Sequence, residues 1–360
     1  MRATTEADII VIGSGIGGLA AGALAARYGL SVTVVESHTI PGGCAHSFER
    51  GGYTFDSGPS LWAGMSGPST NPLRQANAEE WFTYDGWMMH TPSEGSWRFI
   101  VGPDDFETAV LPRLGGDDGV RTWRELQQAI RPLVRAAVAI PPLALRGDAG
   151  GALTLFPHLL RALRTGGASL PRLPNAFTDV LDGVAGIEPG SFLYRWLDYL
   201  SFALSGLPAS GTQTAAVVYT LADLHRPDAV LDYPRGGSGA VIDALVRGLE
   251  KHGGLLRLGA HVEEVVVEGG RAVGVRLRGA KGEVLRAHKA VISNASVWDT
   301  MRLLPPGAVP PEYTVHGLAT PDTASFMHLH LGIDAAGLEG TGLEIHHTVL
   351  LKGWDPIDEE

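Results

Sequence analysis

The chain of 360 residues holds a single cysteine, Cys44. No intrachain disulfide can form, and a reducing compartment is expected. No apolar run approaches the roughly 18 residues that a membrane span requires, and the first residues lack a signal-peptide core. Neither a G-x-S-x-G elbow nor a pair of histidines around a glutamate is present, so serine-hydrolase and zinc-peptidase chemistry have no signature here. Positive charge is the minority sign: 28 lysines and arginines stand against 39 acids, a formal net charge of −11. That balance argues against nucleic acid as a partner. No internal repeat and no low-complexity tract is found, and the length suffices for a substantial core and two domains.

Glycine is abundant, at 48 residues. It concentrates first in DIIVIGSGIGGLAAGALAARYGLSVTVVESHTIPGGC, from Asp8 to Cys44. The β-branched run Ile9 to Ile12 reads as a buried strand, the glycines as a tight turn, and the alanine-rich segment to Tyr28 as a helix. Gly13 permits the reversal, Gly15 lets backbone approach a pyrophosphate, and Gly18 lets the helix lie close on the sheet. Gly22 keeps the same helix face bare. The helix would point free N–H groups and its positive dipole end at phosphates. A second strand (Val32, Val34, Val35) ends at Glu36, where an acid accepts ribose hydroxyls and repels a 2′-phosphate. The pattern therefore predicts dinucleotide binding and disfavours NADP.

A nicotinamide domain would continue into a second βαβ unit. Instead Pro41, Gly42 and Gly43 make another glycine turn, followed by HSFERGGYTFDSGPS, which reads as a hairpin with Phe48, Tyr53 and Phe55 around Gly51-Gly52. A second close-approach turn suits a long cofactor lying along the protein, which favours FAD over NAD.

The run GSGIGG, Glu36, IPGG and FERGGYTFDSG resembles the flavoprotein family that contains carotenoid (prolycopene) isomerase, bacterial phytoene desaturase and animal retinol saturase. YPRGGSGAVIDAL (Tyr233 to Leu245), HVEEVVVEGGRAVGVRL and KAVISNAS (Lys289 to Ser296) agree with it. The resemblance covers nearly the whole chain in the family's order. It implies that Gly13, Gly15, Gly18 and Glu36 hold the ADP half of FAD. It further implies that Gly42, Gly43, Asp56, Gly58 and Pro59 lie toward the pyrophosphate and ring, that Val262 meets the adenine, and that Gly236 and Gly237 lie near the flavin. Relatives carry a further glycine-containing stretch near the C-terminus; none follows KAVISNAS, so the chain reads as C-terminally shortened.

The fold class expected is α/β: a discontinuous Rossmann-like FAD-binding domain from residues 1–62 and 231–300, with a mixed β and helical substrate or cap domain from 63–230 and 301–360. Strands are expected at Trp87 to His90, Trp97 to Val101 and Ser325 to Gly332, a short helix after Pro103-Asp104, and a mostly helical stretch over 121–224. Within it, eight arginines between Arg121 and Arg172 face only Glu125 and Asp148, among many leucines. Such a region can lie on an anionic membrane, although arginines outside a leucine core would look the same. The lipid-dwelling polyene that the resemblance implies favours peripheral membrane contact, in the cytoplasm or plastid stroma.

A flavin beside a polyene can desaturate it or allow its double bonds to isomerise, and neither reaction needs a triad. Isomerisation is favoured, because FERGGYTFDSG most resembles the isomerase version. A retinol-saturase-like or amine-oxidase-like enzyme, or a shortened polyene-binding protein without turnover, are the alternatives. Arg235 could stabilise a reduced ring or pair with Asp232 or Asp56. Cys44 reads as packing, and His328, His330, His346 and His347 as structural residues rather than metal ligands. No residue is marked as catalytic.

Overall fold

The computed structural model describes residues 5–59, 62–63, 81–139, 156, 163–164, 167–279, 282–322, 327–338 and 347–354. The chain divides into two compact units, Met1–Thr83 with Asp232–Asp334 and Tyr84–Leu231 with Ala335–Glu360. The first unit thus runs beyond residues 62 and 300, where the sequence patterns change.

The first unit is built on β1 (Glu6–Ile12) and β2 (Val32–Val35), joined by the helix Ile16–Arg27. The hairpin β3 (Ser47–Arg50) and β4 (Tyr53–Asp56) follows, then β5 (Trp62–Ala63) and β6 (Trp81–Tyr84). After the second unit the chain returns through β9 (Leu231–Pro234), the helix Ser238–Lys251, β10 (Leu255–Arg257), β11 (Val262–Glu268), β12 (Arg271–Leu277) and β13 (Val284–Ser293). The main sheet has the order β10-β2-β1-β13-β12-β11. β1 is parallel to both β2 and β13, while β12 pairs antiparallel with β11 and β13.

Both faces of β1 are covered, which is why its apolar residues run without alternation. Ile9 and Val11 pack with Leu19, Val34, Ile242 and Leu249 beneath the two helices. Ile10 and Ile12 pack with Val262, Val265, Val275 and Leu285 on the opposite face. In the β3–β4 hairpin, Gly51 and Gly52 have φ of 62° and 84° and Arg50 faces Tyr53. A two-residue loop with both residues left-handed matches the twist of paired strands.

The second unit sets β7 (Gly86–Thr91) antiparallel to β8 (Gly95–Ile100), with β14 (Thr348–Leu350) parallel to β7. Helices Gly119–Ala139, Phe192–Ser205 and Thr214–Leu224 pack in the same unit. Trp196 is fully buried, with Phe99 at 4.8 Å and Trp97 at 5.4 Å between ring centroids.

Leu126, Ile130 and Leu133 are buried in the core, and Arg121, Arg124, Arg131 and Arg135 occupy the outer side of their helix. Arg121 is paired with Asp118 and Glu125, and Arg124 with Glu107. Arg146 and Arg161 lie outside the described residues. The strand expected over Ser325 to Gly332 is not found: residues 327–332 form no strand, and 325–326 lie outside the described residues. Side-chain contacts hold this segment, with the His330 ring 5.2 Å from both Phe48 and Phe55.

His225 is partly buried in the second unit, its Nε2 enclosed, with Trp123 4.9 Å away between rings and its Nδ1 3.2 Å from the Gly102 carbonyl. Burial holds its pKa down at about 4, against an ordinary 6.5, although the Gly102 carbonyl favours the protonated ring. The fold therefore binds the neutral ring. That contribution is complete above pH 6.5 and is lost as pH falls toward 4, by about 3 kcal/mol in all. His225→Leu is expected to flatten this part of the stability profile, measured by urea unfolding between pH 4 and 7; an unchanged slope would count against the assignment.

Candidate functional site

The tips of β1, β2 and β13 and the start of the first helix enclose a cleft of 840 Å³. Its floor is the glycine loop. Gly13 has φ of +91° and donates its N–H to the Val35 carbonyl at 2.8 Å, turning the chain across the end of β2. A Cβ on Gly18 would lie 2.2 Å from the Gly13 carbonyl oxygen, so only glycine lets the helix start this close. Leu19 N–H reaches back to the Gly15 carbonyl at 2.9 Å. The preceding amides, of Ile16 to Gly18, have no acceptor within the helix, and the positive end of the helix is at the cleft, where Gly15, Ile16 and Gly17 line it.

The loop is tied down by one carboxylate. Ser14 is fully buried, and both its N–H and its hydroxyl donate to Glu36 Oε2, at 2.8 and 2.7 Å. Glu36 Oε1 accepts from His38 N–H at 2.8 Å and from the Ser37 hydroxyl at 3.2 Å. Burial alone would raise the carboxyl pKa, but the donors from His38, Ser14 and Ser37 outweigh it and hold the group below the ordinary carboxylate value. The second glycine turn docks on the same serine: Gly42 N–H donates to the Ser14 carbonyl at 2.9 Å. Glycine loop, acid and Gly42-Gly43 turn form one hydrogen-bonded assembly.

Of the residues singled out in the sequence, Gly13, Gly15, Glu36, Gly42, Gly43, Pro59 and Val262 line this cleft, and so does Cys44, which is exposed there and does not fill a packing slot. Gly18 lies against Gly13 as the packing contact just described. Asp56, Gly58, Arg235, Gly236 and Gly237 are not among the lining residues. Asp56 instead ties the hairpin to the helix Ser238–Lys251: it accepts from the Ser47 hydroxyl, Ser238 N–H, Tyr233 and the Ser238 hydroxyl. A Cβ on Gly237 would lie 2.6 Å from Asp56 Oδ1, so this glycine makes room for the acid. A Cβ on Gly58 would meet the Cys44 carbonyl at 2.1 Å. The Arg235 guanidinium stands 4.0 Å from the Phe82 ring centroid, a cation–π contact.

Glu36 accepts four protein hydrogen bonds, the longest from the Ser37 hydroxyl at 3.2 Å. The space beside Gly15 is filled by Asn294, whose Nδ2 would be 2.7 Å from a Cβ there. Asn294 and Ser14 were missed by the sequence reading. The signal for Asn294 was a polar residue just past the C-terminal end of a parallel strand, where open α/β sheets bind ligands. For Ser14 it was a hydroxyl between the first two glycines.

A family model described as an NAD(P)-binding Rossmann-like domain matches residues 11–75. The chloroplastic prolycopene isomerase of Daucus carota is 30% identical over 367 residues, covering 98% of this chain and 56% of that protein. The neurosporene-forming phytoene desaturase of Cereibacter sphaeroides is 29% identical over 83% of this chain and 55% of its own length. The chain is similar to carotenoid isomerases and phytoene desaturases over most of its own length. It spans a little over half the length of these two proteins, 56% and 55%. A solved oxidoreductase from Methanosarcina mazei has the same fold, with a TM-score of 0.58 at 19% identity over 82% of this chain and 60% of that one. The cofactor indicated is FAD, and the residues fit its ADP half: helix amides without an intrahelical acceptor for a diphosphate, a buried acid for a ribose, and Val262 among the lining residues.

The Glu36–Ser14 contact is testable by a double-mutant cycle. Glu36→Gln and Ser14→Ala are each expected to destabilise the chain by about 1–3 kcal/mol, the cost of a hydrogen bond to a buried charged group. Combined, they should cost less than the sum, because both changes act on the same bond from the Ser14 hydroxyl to the Glu36 carboxylate, while the Ser14 N–H donor is kept in Ser14→Ala. Additive losses in thermal unfolding would show the two side chains to be independent.

Proposed function

We propose that this chain is the cofactor-binding part of an FAD-dependent oxidoreductase of carotenoid biosynthesis that acts on a polyene, with cis–trans isomerisation favoured over desaturation. The observation that carries the reading is the single cleft in which the glycine loop, Glu36, the Gly42-Gly43 turn and Val262 come together. The hairpin sequence FERGGYTFDSG and the likeness to carrot prolycopene isomerase support the isomerase choice.

When bound, FAD exchanges hydride or charge with a conjugated chain, which either desaturates it or lowers the order of a double bond so that it can rotate. The protein's own part is binding and orientation. The amides of Ile16 and Gly17 receive the diphosphate. Glu36 holds the ribose end and keeps its negative charge there, which disfavours a 2′-phosphorylated nucleotide. The backbone at Val262 bounds the adenine. Gly42 and Gly43, held against Ser14 and Gly15, fix the second glycine turn at the cleft.

The substrate is a lipophilic small molecule, and the chain meets membranes peripherally to obtain it. Among the described residues no helix is long and apolar enough to cross a bilayer. Arg131 and Arg135 are exposed on the helix Gly119–Ala139, with Val138 beside them 63% exposed. This basic, partly apolar face supports contact with anionic lipid.

Two experiments test the proposal. After incubation with FAD and gel filtration, the chain should retain flavin absorbance, and Gly15→Val should lose it; the retained complex, reduced, should convert a poly-cis carotene to its trans form. Loss of flavin from the unaltered chain would reject the cofactor assignment, and a saturated or desaturated product would reject isomerisation. Separately, sedimentation with anionic liposomes should fall severalfold in Arg131→Gln/Arg135→Gln. Equal binding by the variant would remove the membrane face from the proposal.

A further inference from the structure

Asn294 follows the last residue of β13. Its N–H donates to the Ile12 carbonyl at 2.8 Å, extending the β1–β13 pairing one step to the rim of the cleft. Its carboxamide lies against the glycine loop. A Cβ on Gly15 would be 2.7 Å from Nδ2, one on Gly17 would be 2.7 Å from Oδ1, and one on Gly18 would be 3.1 Å from Asn294 Cβ. The side chain lines the cleft, the residue is exposed, and no described residue hydrogen-bonds its carboxamide.

Two of the loop's glycines thus leave room for a polar side chain. If the gap needed only filling, an alanine at position 15 or 17 would occupy it without stranding a primary amide beside unsatisfied helix amides. The carboxamide is neutral and carries two donors. It sits next to Ile16 and Gly17, whose N–H groups have no acceptor within their helix and open on the same cleft. A group that unites these donors is an anion with several acceptor oxygens.

We propose that Asn294 is a cofactor-positioning residue, whose carboxamide donates to the diphosphate of the dinucleotide. The inference rests on the FAD reading above. It assigns the KAVISNAS segment a direct part in binding, and it explains why Gly17, outside the three-glycine fingerprint, is also bare.

The test compares three full-length proteins, unaltered, Asn294→Ala and Asn294→Asp, by titrating FAD and following the quenching of flavin fluorescence. Thermal unfolding without FAD reports whether each variant folds. Removing a hydrogen bond to a charged group should weaken FAD about tenfold in Asn294→Ala. Asn294→Asp keeps the shape but replaces the donor by a negative charge, so it should bind more weakly than the alanine variant and recover partly at high salt. A spacer role gives the reverse order: if Asn294→Asp binds as the unaltered chain does, or more tightly than Asn294→Ala, the inference is overturned while the FAD reading stands. If the unaltered chain binds no FAD, the FAD reading fails and the inference with it. Should the alanine variant not fold, the aspartate variant alone still decides.

Discussion

The cleft depends on one buried carboxylate. A loop made of Gly13, Gly15, Gly17 and Gly18 has few side chains with which to fix itself, and glycine gives up more backbone freedom on ordering than any other residue. Glu36 supplies the missing constraint, because its Oε2 takes both donors of Ser14 and its Oε1 takes the next stretch of chain through His38. The same residue's backbone reaches further: its N–H donates to the Arg257 carbonyl at 2.9 Å, and its carbonyl accepts from Ala260 at 2.7 Å. One position therefore registers β1, β2, β10 and the entry to β11 against each other. Charge in so enclosed a place is tolerated because four donors surround it.

Asp56 performs a comparable task elsewhere in the first unit. It gathers the hydroxyls of Ser47, Tyr233 and Ser238 with the first amide of the helix Ser238–Lys251. Both acids draw attention in the sequence as ligand contacts. Both prove to be, first of all, junctions between segments far apart in the chain. At such a site the group that meets a ligand and the group that fixes the scaffold can be the same residue, so a substitution there changes stability and affinity together.

The strand, glycine turn, helix and second strand were legible because each is set by neighbours in sequence: β-branched residues at Ile9 to Ile12, bare positions at Gly13 and Gly18, an acid at Glu36. The Gly51-Gly52 hairpin was legible for the same reason. What was not legible depends on partners far away. The leucines at 126 and 133 belong to a helix whose buried face cannot be told from a membrane face by composition alone. The alternating histidines at 328 and 330 carry a strand's period, yet a strand needs a neighbour to pair with, and this segment is held by the rings of Phe48 and Phe55. Asn294 and Gly17 explain each other only once β13 lies beside β1. At Gly237 a Cβ would meet Asp56, a neighbour that only the folded hairpin supplies.

The pairing of β1 with β13 also has a temporal side. Ile10 lies against Val291 and Ile12 against Ser293, so β1 receives one of its two neighbours only after 281 further residues, 291 less 10, have been made. At 5–20 residues per second, synthesis leaves that edge bare for roughly tens of seconds. An uncovered apolar strand edge is a template for wrong pairing. Until β13 is made, the apolar β1 is therefore exposed to pairing with the wrong partner on that side.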